Sequence, residues 1–170
     1  NSGGDLPPLG ITYIASYLRE KGLGVGLLDC CALEIDIEKI LQTIEERKPR
    51  SIGISATTFG YPKGVRLAQK IKEQFPEKLI ILGGAHANAV PTEPMESHDC
   101  FDIVAFEEGE ITSHEILTEF SKHNWDAKKF LADADSLRSI KGIVFRVDGE
   151  IIKNEDRKFF TDLDFLPLPA

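Results

Sequence analysis

Three short stretches carry the residue types and spacings that could do chemistry. Ser55-Ala-Thr-Thr58 supplies hydroxyls able to bond a phosphate or a ring nitrogen. Gly83-Gly-Ala-His-Ala87 pairs small residues, which let a ligand lie close to the backbone, with one imidazole. Glu107-Glu-Gly-Glu110 offers carboxylates for acid–base or metal work, and Gly109 allows a tight turn ahead of a helix whose free amides could receive an anion. Taken singly, each is also ordinary turn chemistry. His86 is a candidate metal ligand set against plain local hydrogen bonding, whereas His98, His114 and His123 show no partner pattern.

Several standard chemistries are excluded. No Gly-x-x-x-x-Gly-Lys-Ser/Thr and no Gly-x-Ser-x-Gly elbow occurs. Gly22-Leu-Gly-Val-Gly26 precedes an expected strand rather than following one, the wrong context for a dinucleotide fingerprint. Cys30, Cys31 and Cys100 fit neither a disulfide framework nor the spacing of a zinc or iron–sulfur site, so they read as buried or half-buried free thiols in a cytoplasmic protein. The formal charge of -8 and pI near 5.0 argue against a nucleic-acid partner. No segment reads as a signal peptide or a membrane span.

The elements that must position these stretches follow from periodicity. Leu9, Ile14, Ala15 and Leu18 recur at helical spacing, with prolines ahead and Gly22 behind. Val25 to Asp29 reads as a strand, and Ile37, Ile40, Leu41 and Ile44 mark a helix entered through Asp36. Strands are expected at 51–55, 79–82 and 102–106, with helices at 63–75 and 110–120 between and after them. That alternation means a parallel sheet with helices on both faces, the α/β class. The three chemical stretches then fall just beyond the carboxyl ends of strands, where open α/β sheets bind ligands. Residues 125–140 read as a loop with a short helix. Ile143-Val-Phe-Arg-Val147, Asp148-Gly149 and Glu150-Ile-Ile-Lys153 predict a hairpin on a type I′ turn. The proline-rich ending looks like a linker.

With these elements in place, six motifs in order resemble one family. They are Pro7 to Gly22, Ile52-Gly-Ile-Ser-Ala-Thr-Thr58, Leu82-Gly-Gly-Ala-His-Ala87, Phe106-Glu-Glu-Gly-Glu110, Gly142-Ile-Val-Phe-Arg146 with Asp148-Gly149, and Asp162-Leu-Asp-Phe-Leu-Pro167. Together they resemble the N-terminal cobalamin-binding domain of cobalamin-dependent radical S-adenosylmethionine enzymes, methyltransferases or cyclases of the magnesium-protoporphyrin IX monomethyl ester type. The resemblance implies a flavodoxin-like (Rossmann-like) sheet holding cobalamin at its carboxyl edge. Ser55, Ala56 and Thr57 would contact the nucleotide tail, and Gly83, Gly84 and Ala85 would make room for it. Glu108, Gly109 and Glu110 would close the pocket, with Leu9 and Gly10 approaching the corrin. No catalytic residue and no protein metal ligand is implied.

Three departures matter. Classical carriers place a cobalt-ligating histidine in the first loop, where this chain has Pro7, so the resemblance implies cobalamin without a histidine from that loop. Glu107 stands where the family usually has glycine. The pattern also begins after the family's first strand, which leaves a gap in the 2-1-3-4-5 order; another segment is expected to fill it, or the neighbours to close up. The expected organisation is an α/β body at 1–125, a hairpin extension at 126–160 and a linker at 161–170. The linker would lead toward a radical S-adenosylmethionine domain supplying S-adenosylmethionine and a [4Fe-4S] cluster, since this chain has no Cys-x-x-x-Cys-x-x-Cys. A homodimer stays open, as do two other functions: an enzyme using a nucleotide or sugar nucleotide, and a degenerate assembly domain.

Overall fold

The computed structural model describes residues 8–30, 35–157 and 166–170. Pro7, Asp5, Cys31 and the start of the linker motif, 162–165, lie outside the described residues. Two compact units are present, one from residues 1–48 with 160–170 and one from residues 49–159.

In the first unit, α1 (Leu9–Glu20) starts directly after Pro8 and buries Ala15, Tyr17 and Leu18. It stops where the sequence predicts: Gly22 takes φ +83, and the amides of Gly22 and Leu23 turn back to the carbonyls of Arg19 and Leu18. In α2 (Ile37–Arg47), Asp36 caps the amino end by accepting the Lys39 amide at 2.8 Å. Between the helices, Val25–Asp29 does not form the expected strand. The sheet of the described residues runs from β1 to β5, and Val25–Asp29 makes no ladder in it. Without a ladder, a five-residue apolar segment has no reason to become a strand.

The second unit carries the sheet. Its strands are β1 (Ser51–Ser55), β2 (Leu79–Gly83), β3 (Ile103–Ala105), β4 (Ile143–Val147) and β5 (Glu150–Lys153), in that spatial order. The first three are parallel, with Ser51 opposite Leu79 and Ile81 opposite Ile103. β4 then joins β3 antiparallel, and β5 joins β4. The hairpin therefore extends the same sheet, and its turn has positive φ at both Asp148 and Gly149, the type I′ form that Asp-Gly predicts.

Helices α3 (Tyr61–Gln74), α4 (Ala85–Ala89), α5 (Glu93–Ser97) and α6 (Gly109–Lys122) connect the parallel strands and follow them. Residues 125–140 hold two short helices, α7 (Ala127–Ala132) and α8 (Ala134–Arg138), capped by the Asp126 and Asp133 carboxylates. One sheet face packs Leu79, Ile103, Ile143 and Phe145 against Ile116, Phe120, Phe130 and Leu137. Ile80, Leu82, Val104 and Val144, which alternate with these strand residues, are also fully buried. Burial on both faces is what the continuous apolar run at 79–82 requires.

Candidate ligand-binding edge

The carboxyl ends of β1, β2 and β3 present the three chemical stretches on one edge of the sheet. The first two are zipped together by backbone bonds: the Ala56 amide donates to Gly83 O and the His86 amide to Ala56 O, both at 3.0 Å. Gly84 has φ +93, and a β-carbon there would stand 2.7 Å from Ser55 Oγ and 2.8 Å from the Ala56 amide nitrogen. The room at Gly84 is therefore filled by the neighbouring loop. At Gly83 a β-carbon would meet only Ala105 O, at an ordinary 3.7 Å, and Ser55, Thr57, Thr58 and Ala85 are exposed. Thr57 Oγ1 already accepts the Gly60 amide at 3.2 Å ahead of α3.

The third stretch is tied to the second through Asn88, whose Oδ1 accepts the Glu107 amide at 2.8 Å. The tight turn falls at Glu107, with φ +63, rather than at Gly109. Glu107 Oε2 in turn accepts the Arg157 amide at 2.5 Å, and the Arg157 guanidinium pairs with Glu115 and donates to Thr112 Oγ1. Glu110, in the first turn of α6, is buried, and that burial together with the Glu108 charge pushes its carboxyl above the usual range. Leu9 and Gly10 belong to the other unit, on the first turn of α1.

A polar cluster that sequence reasoning did not find lies beneath the first two loops. His86 is 7% exposed and stacks on Tyr61, with ring centroids 3.8 Å apart. Its Nε2 is 3.3 Å from Glu93 Oε2 and its Nδ1 3.5 Å from Thr58 Oγ1. Ser97 Oγ donates to Glu93 Oε1 at 3.1 Å. Burial works against ionising Glu93, but the hydrogen bonds from His86 and Ser97 outweigh it and hold its pKa down. Burial, followed by the Glu93 charge, pushes the Tyr61 phenol far up, and its buried hydroxyl lacks a partner in good geometry. Nothing in the spacing from His86 to Glu93 signals this contact, because it depends on where α5 starts.

Elsewhere, an open cleft of about 780 Å³ lies near the amino ends of β2 and β3, lined by Lys72, Asp102, Trp125 and Leu131. Its Lys72–Asp102 ion pair also accepts the Ile80 amide, which gives it a structural role in starting β2. Among the described residues no three His, Cys, Asp or Glu side chains are placed to hold a metal ion. Among them, too, no helix is long and apolar enough to cross a membrane. Cys100 is buried and Cys30 half-buried, the burial the sequence predicts for them.

Fold and edge together define an α/β ligand-binding domain whose loops meet at the carboxyl ends of parallel strands. Residues 1–117 match the model of the B12 binding domain, and the chain belongs to that family. It is 27% identical to an uncharacterized methyltransferase of Pyrococcus horikoshii over 96% of its own length and 33% of that protein's. It is 27% identical to the anaerobic magnesium-protoporphyrin IX monomethyl ester cyclase of a Synechocystis species, over 94% of its length and 30% of the cyclase. Over 45% of the chain it is 30% identical to TokK of Streptomyces tokunonensis, a cobalamin-dependent radical SAM methyltransferase, covering 11% of that enzyme. The chain thus spans about a third of the length of the curated relatives it matches first. The resemblance carried by the six motifs is borne out.

The edge suits cobalamin, a ligand rimmed with amides. Exposed hydroxyls at Ser55 and Thr58, the open side of Gly83 and the Glu108 carboxylate are partners for amide groups. His86 does not suit direct ligation of cobalt, because its ring is stacked and both nitrogens face hydrogen-bond partners.

Proposed function

We propose that this chain is the cobalamin-binding module of a cobalamin-dependent radical S-adenosylmethionine enzyme. The observation that carries the reading is the family match over residues 1–117, which spans all three carboxyl-edge loops. When bound, cobalamin supplies either a transferable methyl group or a one-electron partner. This chain's own residues hold and orient it: Ser55, Ala56 and Thr57 along the nucleotide tail, Gly83 and Ala85 beside it, with Gly84 fixing the loop. Glu108, Gly109 and Glu110 close one side, and Leu9 and Gly10 are the residues that the resemblance assigns to the corrin. S-adenosylmethionine, the [4Fe-4S] cluster and catalysis belong to a further domain of the parent protein, reached through residues 161–170. The α/β body is assigned to 1–125 and its hairpin extension to 126–160, in a cytoplasmic protein.

The cobalt receives no histidine from the first loop, because Pro7 occupies that place. Adding hydroxocobalamin to the purified chain, desalting and recording the visible spectrum tests the central reading. Corrin absorbance retained near one equivalent is the expected result; a colourless protein overturns carrier function for this chain. After reduction to the cob(II) state, the paramagnetic resonance spectrum should lack nitrogen splitting from a protein imidazole. Histidine splitting would overturn the ligand assignment alone.

A further inference from the structure

The Glu93–His86–Thr58 contacts form a directed chain, and its direction has a consequence at the ligand edge. Glu93 accepts hydrogen bonds from Ser97 Oγ at one oxygen and faces His86 Nε2 with the other. An ionised carboxylate only accepts, so Nε2 must carry the imidazole proton. In the neutral imidazole Nδ1 then holds a lone pair, and its facing partner is the Thr58 hydroxyl at 3.5 Å. Thr58 spends its one hydrogen on Nδ1. The Tyr61 ring, stacked at 3.8 Å and 23°, fixes the imidazole plane so that both contacts are met at once. Thr58 is exposed on the ligand edge, and with its hydrogen given to Nδ1 its oxygen offers an outside partner lone pairs alone.

We infer that Glu93 and His86 are positioning residues that make Thr58 Oγ1 an obligate acceptor, so that this edge selects an amide N–H of its ligand over a carboxylate. Resting on the cobalamin reading, the recognised group is one of the amides on the corrin rim. A carboxylate at the same place meets two acceptors face to face and is rejected.

Glu93→Gln inverts the chain without removing it. Ser97 holds the Gln carbonyl oxygen, the amide NH₂ donates to Nε2, the imidazole proton moves to Nδ1, and Thr58 turns its hydrogen outward. The first measurement needs no ligand: long-range ¹H–¹⁵N spectra of the imidazoles at about pH 8.5, where ordinary histidines are neutral. The chain has four histidines, and His86→Gln identifies the His86 signal by difference. The wild type should show the Nε2–H tautomer and Glu93→Gln the Nδ1–H tautomer; Nδ1–H in the wild type overturns the relay.

The second measurement compares hydroxocobalamin with its individual monocarboxylic acids, made by hydrolysing single rim amides. One of these acids should bind the wild type at least about tenfold more weakly, the worth of one buried hydrogen bond. The penalty at that position should shrink in Glu93→Gln while binding of the parent hydroxocobalamin stays measurable. Equal affinities for all the acids, or an unchanged preference in Glu93→Gln, overturns the selection. If the wild type retains no hydroxocobalamin, the cobalamin reading and the amide assignment fall together, while the imidazole spectra still decide the relay. Merely structural roles for Glu93 and His86 would lower thermal stability without exchanging tautomers.

Discussion

Glu107 sits at φ +63, a backbone region that costs a residue with a β-carbon about 1–2 kcal/mol relative to glycine. The resemblance implies glycine there, the residue a left-handed turn favours. The Glu107 carboxylate offsets that strain by accepting the Arg157 amide, which anchors the segment leaving β5. The two effects separate by substitution. Glu107→Ala keeps the strain and loses the bond, so urea denaturation should show a loss of about 1–2 kcal/mol. Glu107→Gly loses the same bond but sheds the strain, and should be more stable than Glu107→Ala by about 1 kcal/mol. Gly84 is the opposite case. Its φ of +93 and the 2.7–2.9 Å approach of Ser55 Oγ and the Ala56 backbone leave no room for a methyl group. Gly84→Ala should cost more than about 2 kcal/mol by the same assay and disturb the pairing of the first two loops. Sequence reasoning placed the tight turn at Gly109 because glycine is the usual sign of one. A glutamate held left-handed by long-range bonds to Asn88 and from Arg157 gives no such sign.

At the scale of elements, α6 ends in a histidine contact that depends on pH. His123 Nδ1 lies 3.0 Å from the Glu119 carbonyl, an orphan of the last turn, and Nε2 lies 3.0 Å from Asp133 Oδ2 at the junction of α7 and α8. The Glu119 carbonyl first, and then Asp133, raise the pKa of His123 above the ordinary histidine value. A pKa raised on folding means the native state binds the proton more tightly. The stability it contributes is complete below the unfolded value near 6.5 and is lost as pH rises through the folded one. The urea midpoint should therefore fall as pH rises above about 6.5, and His123→Gln should flatten that slope. A wild-type midpoint that does not change over this range removes His123 from the account. These two short helices also mark where sequence legibility stopped. Strong 3.6-residue periods made α1, α2, α3 and α6 visible, and Asp36 and Asp148-Gly149 announced their cap and turn. Helices α7 and α8, of six and five residues, are too short to show a period and stand on Asp126, Asp133 and contacts with the core.

For the whole molecule, the sheet order sets a gradient of stability. β2 and β3 lie between neighbours, with Leu79, Ile80, Leu82, Ile103 and Val104 fully buried. β1 stands at one end of the order; Ile52 and Ile54 are half-buried, and a β-carbon on Gly53 would meet nothing within 4 Å. The expected parallel pattern over 51–106 was readable because runs apolar on both faces are the mark of buried strands. The strand expected at Val25–Asp29 does not form among the described residues, because pairing is a property of two segments that one segment's composition does not reveal. The consequence is measurable. An edge strand keeps alternate amides without a ladder partner, and those amides exchange through small local fluctuations rather than through unfolding of the core. Hydrogen–deuterium exchange should find peptides from β2 and β3 protected longest, with those from β1 exchanging sooner. Gly53→Val should then raise β1 protection, since valine favours a strand and its β-carbon enters open space. Protection of β1 equal to that of β2 in the unmodified chain would mean that its outer edge is covered in solution, and the gradient would be refuted.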